Sequence, residues 1–98
     1  MDQVEYAYTY GMDEAELERR LSSAENGTLS LARDGEAYGV PVTHHYDEGS
    51  LYFRLGAHEG SEKFEFIEAT TRACYVVYGT SPPDASWSVV VRGPLREV

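Results

Sequence analysis

The chain of 98 residues carries one cysteine, one lysine and one tryptophan, and each scarcity excludes something. Cys74 has no second cysteine to bridge to, so no internal disulfide can form. It lies in the apolar run from Ala73 to Tyr78 with no basic neighbour to activate it, as a small buried hydrophobe would. No apolar run approaches the length of a membrane span, and Met1-Asp2-Gln3-Val4-Glu5 lacks the basic and apolar regions of a signal peptide. A cytoplasmic protein with no membrane partner is the expectation. Serine elbow, Cys–His pair, P-loop and dinucleotide fingerprint are all missing, which removes most hydrolase and nucleotide-binding readings.

Basic residues are scarce as well. Eight face seventeen acids, for a formal net charge of −9. Such a balance opposes binding to nucleic-acid phosphates. It suits a high-salt cytoplasm, where self-repulsion is screened, so a halophilic source is expected. Seven of the eight bases are arginine, which makes the lone Lys63 a residue to explain.

What remains is periodic. Residues 1–12 alternate as a strand or arm (Val4, Tyr6, Tyr8, Tyr10). Asp13 as N-cap and Glu16 three residues on open a helix over 13–24, with Leu17, Leu21 and Ala24 on one face and Asn26-Gly27 ending it. Residues 27–98 read as barrel strands. Leu29 and Leu31 alternate with Ser30 and Ala32, Asp34-Gly35 turns, and Tyr38, Val40 and Val42 form the apolar side of the returning strand. After Asp47-Glu48-Gly49, Leu51, Phe53 and Leu55 resume the core pattern. A short helix is expected over 61–69, capped by Ser61, with Phe64 and Ile67 on one face. Strands follow over Arg72 to Gly79 and Ser86 to Arg92, joined by a turn from Thr80 to Ala85. The fold class is a mostly β single domain, a β-barrel with small helices.

Three local features could carry chemistry. Pro41 cannot donate to a ladder, so it marks either an edge strand or a strand whose open side faces a ligand. Its neighbours Gly39 and Thr43 leave that face small and smooth. His44-His45 invites a metal, but adjacent strand residues point to opposite faces and no other ligand stands at a recognised spacing, so no metal site is expected. Finally, Gly60-Ser61-Glu62-Lys63 places free backbone N–H groups, a hydroxyl and an amine at a helix start, with Arg54 on the preceding strand. This set can hold a phosphate, or Arg54 and Lys63 can simply pair with surface acids.

The ordered set Leu29-Ser30-Leu31, Asp34-Gly35, Tyr38-Gly39-Val40-Pro41-Val42, Leu51-Tyr52-Phe53-Arg54, Glu59-Gly60-Ser61-Glu62-Lys63 and Trp87-Ser88-Val89-Val90-Val91-Arg92-Gly93 resembles the pyridoxamine 5′-phosphate oxidase-related, FMN-binding split β-barrel family. It resembles in particular the short branch that includes the nitroimidazole-resistance proteins, and the acidic helix before it looks like that of halophilic-archaeal members. The resemblance runs from about Leu21 to Val98. It implies a homodimer with FMN at the subunit interface, backbone of Val40, Pro41, Val42 and Thr43 on the flavin ring, and Arg54, Ser61 and Lys63 on its phosphate. Trp87 and Ser88 would border the site. The implied reaction is hydride or electron transfer from a reduced nicotinamide to a small acceptor, with no catalytic side chain identified. Two departures stand out: Glu62 lies where many relatives carry arginine, and relatives usually continue past the position of Val98. A C-terminally truncated or minimal member is therefore expected, and the alternatives are a deazaflavin- or haem-binding barrel and a dimeric module without cofactor.

Overall fold

The structure, a computed structural model, describes residues 12–81 and 85–97; the N-terminal arm and the turn over 82–84 lie outside them. Helix α1 (Glu14–Ser23) is followed by strands β1 (Asn26–Arg33), β2 (Glu36–Asp47) and β3 (Ser50–Phe53). Helix α2 (Glu62–Ala69) and strands β4 (Ala73–Ser81) and β5 (Ala85–Gly93) complete the order. The strands form one antiparallel sheet in the order β3-β2-β1-β4-β5. Two tight turns make its hairpins, with Asp34-Gly35 and Glu48-Gly49 all at positive φ, which these residue types tolerate best.

Period-2 alternation sorts the strands into two faces. On the inner face Val40, Leu29, Tyr75 and Val91 lie in one row across four strands. Leu29, Leu31, Tyr75, Val77 and Val89 are buried there, and Leu21 of α1 and Phe66 of α2 close over them. The outer face has Pro41, Thr28, Val76 and Val90 in one row and Gly39, Ser30, Cys74 and Arg92 in the next.

Several expectations shift at their edges. Helix α1 begins at Glu14, with the Asp13 carboxylate accepting from the Glu16 N–H at 2.8 Å. It ends earlier than expected: Ala24 is already extended, and Asn26-Gly27 belongs to β1. Gly27 is there for closeness, because a Cβ would sit 2.5 Å from the Val76 carbonyl and 2.8 Å from the Tyr75 ring. Leu17 is more exposed than its spacing implied. In α2 the buried residue is Phe66, with Phe64 and Ile67 half-buried beside it. Phe66 meets Tyr38 at 5.0 Å between ring centroids and is covered by the Arg33 guanidinium at 4.5 Å, which itself pairs with Glu65 at 2.9 Å. The Thr70 hydroxyl donates to the Phe66 carbonyl at 2.6 Å and accepts the Ala32 N–H at 3.0 Å, which fastens the end of α2 to β1.

Candidate functional site

Strand β2 has twelve residues and β3 four, so the two pair only over His44–Asp47. Residues 36–43 of β2 pair with β1 alone, and their other edge is open among the described residues. Pro41 is opposite Thr28 in an unbroken ladder. Lacking an N–H, it fits only a position whose backbone points away from β1, to the open edge. By the same alternation the N–H groups of Gly39 and Thr43 point to that edge, while that of His44 turns back and donates to the Glu25 carbonyl at 3.0 Å. Both readings of Pro41 meet here: it is on an edge, and the edge is free to face a ligand.

Where β3 stops and β2 continues alone, a groove of about 460 Å³ opens, lined by Thr43, His44, His45, Tyr52, Phe53 and Arg54. Sequence reasoning placed Arg54 on the strand; β3 ends at Phe53 and Arg54 is the first residue beyond it. Its guanidinium is exposed, and the ion pairs among the described residues use Arg19, Arg20 and Arg33 instead. The surface-pairing reading of Arg54 thus finds no partner among described residues. His45 and Tyr52, cross-strand partners with ring centroids 6.4 Å apart, add an aromatic wall that sequence reasoning did not single out. The turn at Asp47-Glu48-Gly49 sets the register that brings them together, and it could have revealed the pair.

The loop after Arg54 folds back on itself. The Lys63 ammonium donates to the Gly56 carbonyl at 3.2 Å, and Gly60 takes a positive φ ahead of α2. The Ser61 hydroxyl accepts from the Phe64 N–H at 3.1 Å and donates to the His58 carbonyl at 2.8 Å. Its proton is therefore committed within the chain, and Ser61 acts as the N-cap of α2. Glu62 and Glu65 occupy the first turn, where they answer the helix dipole and oppose an anion. Arg54 is the cationic side chain in the groove's lining, and Ser61 and Lys63 are not part of that lining.

The other expected site residues are placed apart. Val40 and Val42 are half-buried on the inner face, whereas Pro41 and Thr43 are exposed on the outer one. Trp87 faces inward at the far side of the sheet, with the Arg20 guanidinium 4.6 Å above its ring and Gly79 leaving room beneath it. Ser88 faces outward. Strands β2 and β5 are separated by β1 and β4, roughly 14 Å across at the usual strand spacing. One chain does not bring Trp87 and Ser88 to the groove. Among the described residues no three His, Cys, Asp or Glu side chains gather as a metal site, and no helix is long and apolar enough to cross a membrane.

The pyridoxamine 5′-phosphate oxidase family model matches residues 13–98. Among solved structures, a FAD-binding protein from Mesorhizobium loti superposes with a TM-score of 0.71 at 26% identity, over 89% of this chain. A Corynebacterium glutamicum protein provisionally assigned as a pyridoxamine 5′-phosphate oxidase gives 0.68 at 27% identity over 89%. The FAD-binding protein from Mycobacterium smegmatis, at 0.68 and 20% identity over 85%, speaks to the fold alone. The match spans 63% of the Mesorhizobium protein's own length and 68% of each of the other two. No protein of curated function matches the sequence. The fold is mostly β, five antiparallel strands with two helices, of the split-barrel kind.

Proposed function

The chain belongs to the pyridoxamine 5′-phosphate oxidase family, and from that premise we propose that it is a flavin-binding protein whose flavin is FMN. The observation that carries the reading is Arg54, exposed and without an ion pair among the described residues, beside the open edge of β2 at Thr43. In a chain with seventeen acids, a guanidinium left unpaired next to free backbone donors suits a ligand with an anionic end and a flat polar one. Arg54, seconded by Lys63, would hold the phosphate. The Gly39 and Thr43 N–H groups and the Pro41 carbonyl would meet the ring edge, and His45 and Tyr52 would flank it. A bound flavin supplies hydride or electron transfer, here between a reduced nicotinamide and a small acceptor.

The partner in this reading is a second copy of the chain. Trp87 and Ser88 lie too far from the groove to border a flavin held within one subunit. The outer face also leaves Tyr78 68% and Val90 51% exposed beside Val76 and Pro41, an apolar surface of the kind that association covers. A homodimer that lays this face of one subunit near the groove of the other would complete the site. The test is flavin fluorescence titration, with absorption separating FMN from deazaflavin, haem or no cofactor. Arg54→Ala and Lys63→Ala are expected to weaken FMN binding about tenfold and a few-fold respectively, the scale of one charge-assisted hydrogen bond. Unchanged affinity in both refutes the phosphate assignment, and a monomer in high salt refutes the shared site.

A further inference from the structure

The two halves of the groove meet on one buried side chain that comes from neither of its strands. Tyr75, on β4, is 2% exposed. Its hydroxyl hydrogen-bonds His44 Nδ1, and the opposite ring nitrogen, Nε2, lies 3.0 Å from the Leu21 carbonyl. A carbonyl can only accept, so Nε2 carries a proton; in the neutral ring Nδ1 is then the acceptor and the Tyr75 O–H the donor. The same phenol ring packs edge-on against Phe53, with centroids 4.6 Å apart and planes at 63°. His44 and Phe53 are register partners across β2 and β3. His44 directly follows Thr43, and Phe53 directly precedes Arg54. Tyr75 therefore grips both strands one residue away from the two groups on which the flavin reading depends. Gly27 is what lets it do so, because any side chain there would strike the phenol.

The geometry points to Tyr75, with His44, as a positioning pair that fixes the distance between the Thr43 backbone and the Arg54 guanidinium. The inference rests on the flavin reading proposed above and adds a division of labour to it. A ligand touching both groups gains from the second contact only when the protein holds them at the matching span; a ligand touching one is indifferent to it. FMN and riboflavin differ in this respect alone, since they share the ring and only FMN has the phosphate.

The test is Tyr75→Phe, which keeps the ring and its packing on Phe53 and removes the hydroxyl. The full chain and the variant are titrated with FMN and with riboflavin by flavin fluorescence. FMN is expected to weaken about tenfold and riboflavin by less than about twofold, because only the two-point ligand senses the span. Equal weakening of both overturns the proposal, as Tyr75 would then be supporting the fold in general. Unchanged affinity for both overturns it too. If the unaltered chain binds neither, the flavin reading falls and takes this inference with it; if it binds both and the ratio does not move, only the inference falls. Should Tyr75→Phe not fold, Phe53→Leu removes the second grip of the phenol and is read by the same ratio.

Discussion

Two glycines in the same hairpin should respond in opposite ways to the same added methyl group. Gly27 in β1 and Gly39 in β2 both sit in the β1–β2 ladder at negative φ, so neither is held there by an unusual backbone. A Cβ at Gly39 would find only the Thr28 methyl at 3.9 Å, an ordinary contact. Gly39→Ala is therefore expected to leave stability unchanged or to raise it by about 0.4–1 kcal/mol, through the lower entropy of the unfolded chain. A Cβ at Gly27 would lie 2.5 Å from the Val76 carbonyl oxygen and 2.8 Å from both Cζ and the hydroxyl of Tyr75. The carbonyl belongs to the β4 backbone and cannot swing aside. The phenol is tied to His44 and packed on Phe53, so it cannot move cheaply either. Gly27→Ala must separate β1 from β4 or displace Tyr75, which puts it at about 1–3 kcal/mol destabilising. For a domain of this size each kcal/mol moves the midpoint by roughly 4–8 °C, so Gly27→Ala should melt some 5–20 °C lower. Urea and thermal unfolding followed by circular dichroism give both numbers. Equal midpoints for the two variants would refute the close packing of Gly27 on Tyr75.

Burial pushes the Tyr75 hydroxyl up to about 12. An unfolded tyrosine ionises near 10, so between these values the unfolded chain has released a proton that the folded chain keeps, and stability falls as pH rises through that window. The loss is on the order of 2 kcal/mol by pH 12, and Tyr75→Phe should abolish this component; matching alkaline slopes in urea titrations of the two proteins would refute it. Tyr46 is raised as well, by desolvation and then by Glu18, and it adds in the same direction. Salt should act oppositely. With a net charge of −9, raising KCl from 0.1 to 1 M shortens the screening length from about 10 to about 3 Å, and the thermal midpoint is expected to climb; a flat or falling midpoint would remove self-repulsion as a determinant of stability.

The alternation of β1 and β2 was legible because period 2 leaves little choice once one face is buried. Leu29, Leu31, Tyr38, Val40 and Val42 all face inward as their spacing required. What the sequence withheld was any feature set by a distant element. In α2 the choice between Phe66 and the pair Phe64 and Ile67 is made by Arg33 and Thr70 fastening the helix to β1, contacts more than thirty residues apart in sequence. Asn26-Gly27 looked like a helix stop because both residues tolerate left-handed backbone, yet the glycine answers to the phenol of Tyr75. His44 and His45 alternate as adjacent strand residues do, the first buried and the second exposed. The bond of His44 to Tyr75 spans thirty-one residues and no local pattern announces it.

The same limit explains why the expected site residues formed one group in sequence and two in space. A resemblance orders residues along a chain and is blind to how far apart the sheet sets them. Strand order is not blind: with β1 and β4 interposed, Thr43 and Arg54 stand on one side of the sheet and Trp87 and Ser88 on the other. Pro41 alone would not decide what the open edge of β2 is for, since proline also protects edge strands from unwanted pairing. Arg54 tips the balance. Arg19, Arg20 and Arg33 pair with acids on α1 and α2, whereas Arg54, like Arg72, Arg92 and Arg96, has no ion pair among the described residues, and of these four it is Arg54 that lines the groove. In the flavin reading proposed above, that cation serves the anionic end of the ligand, a role that an edge needing only protection would not give it.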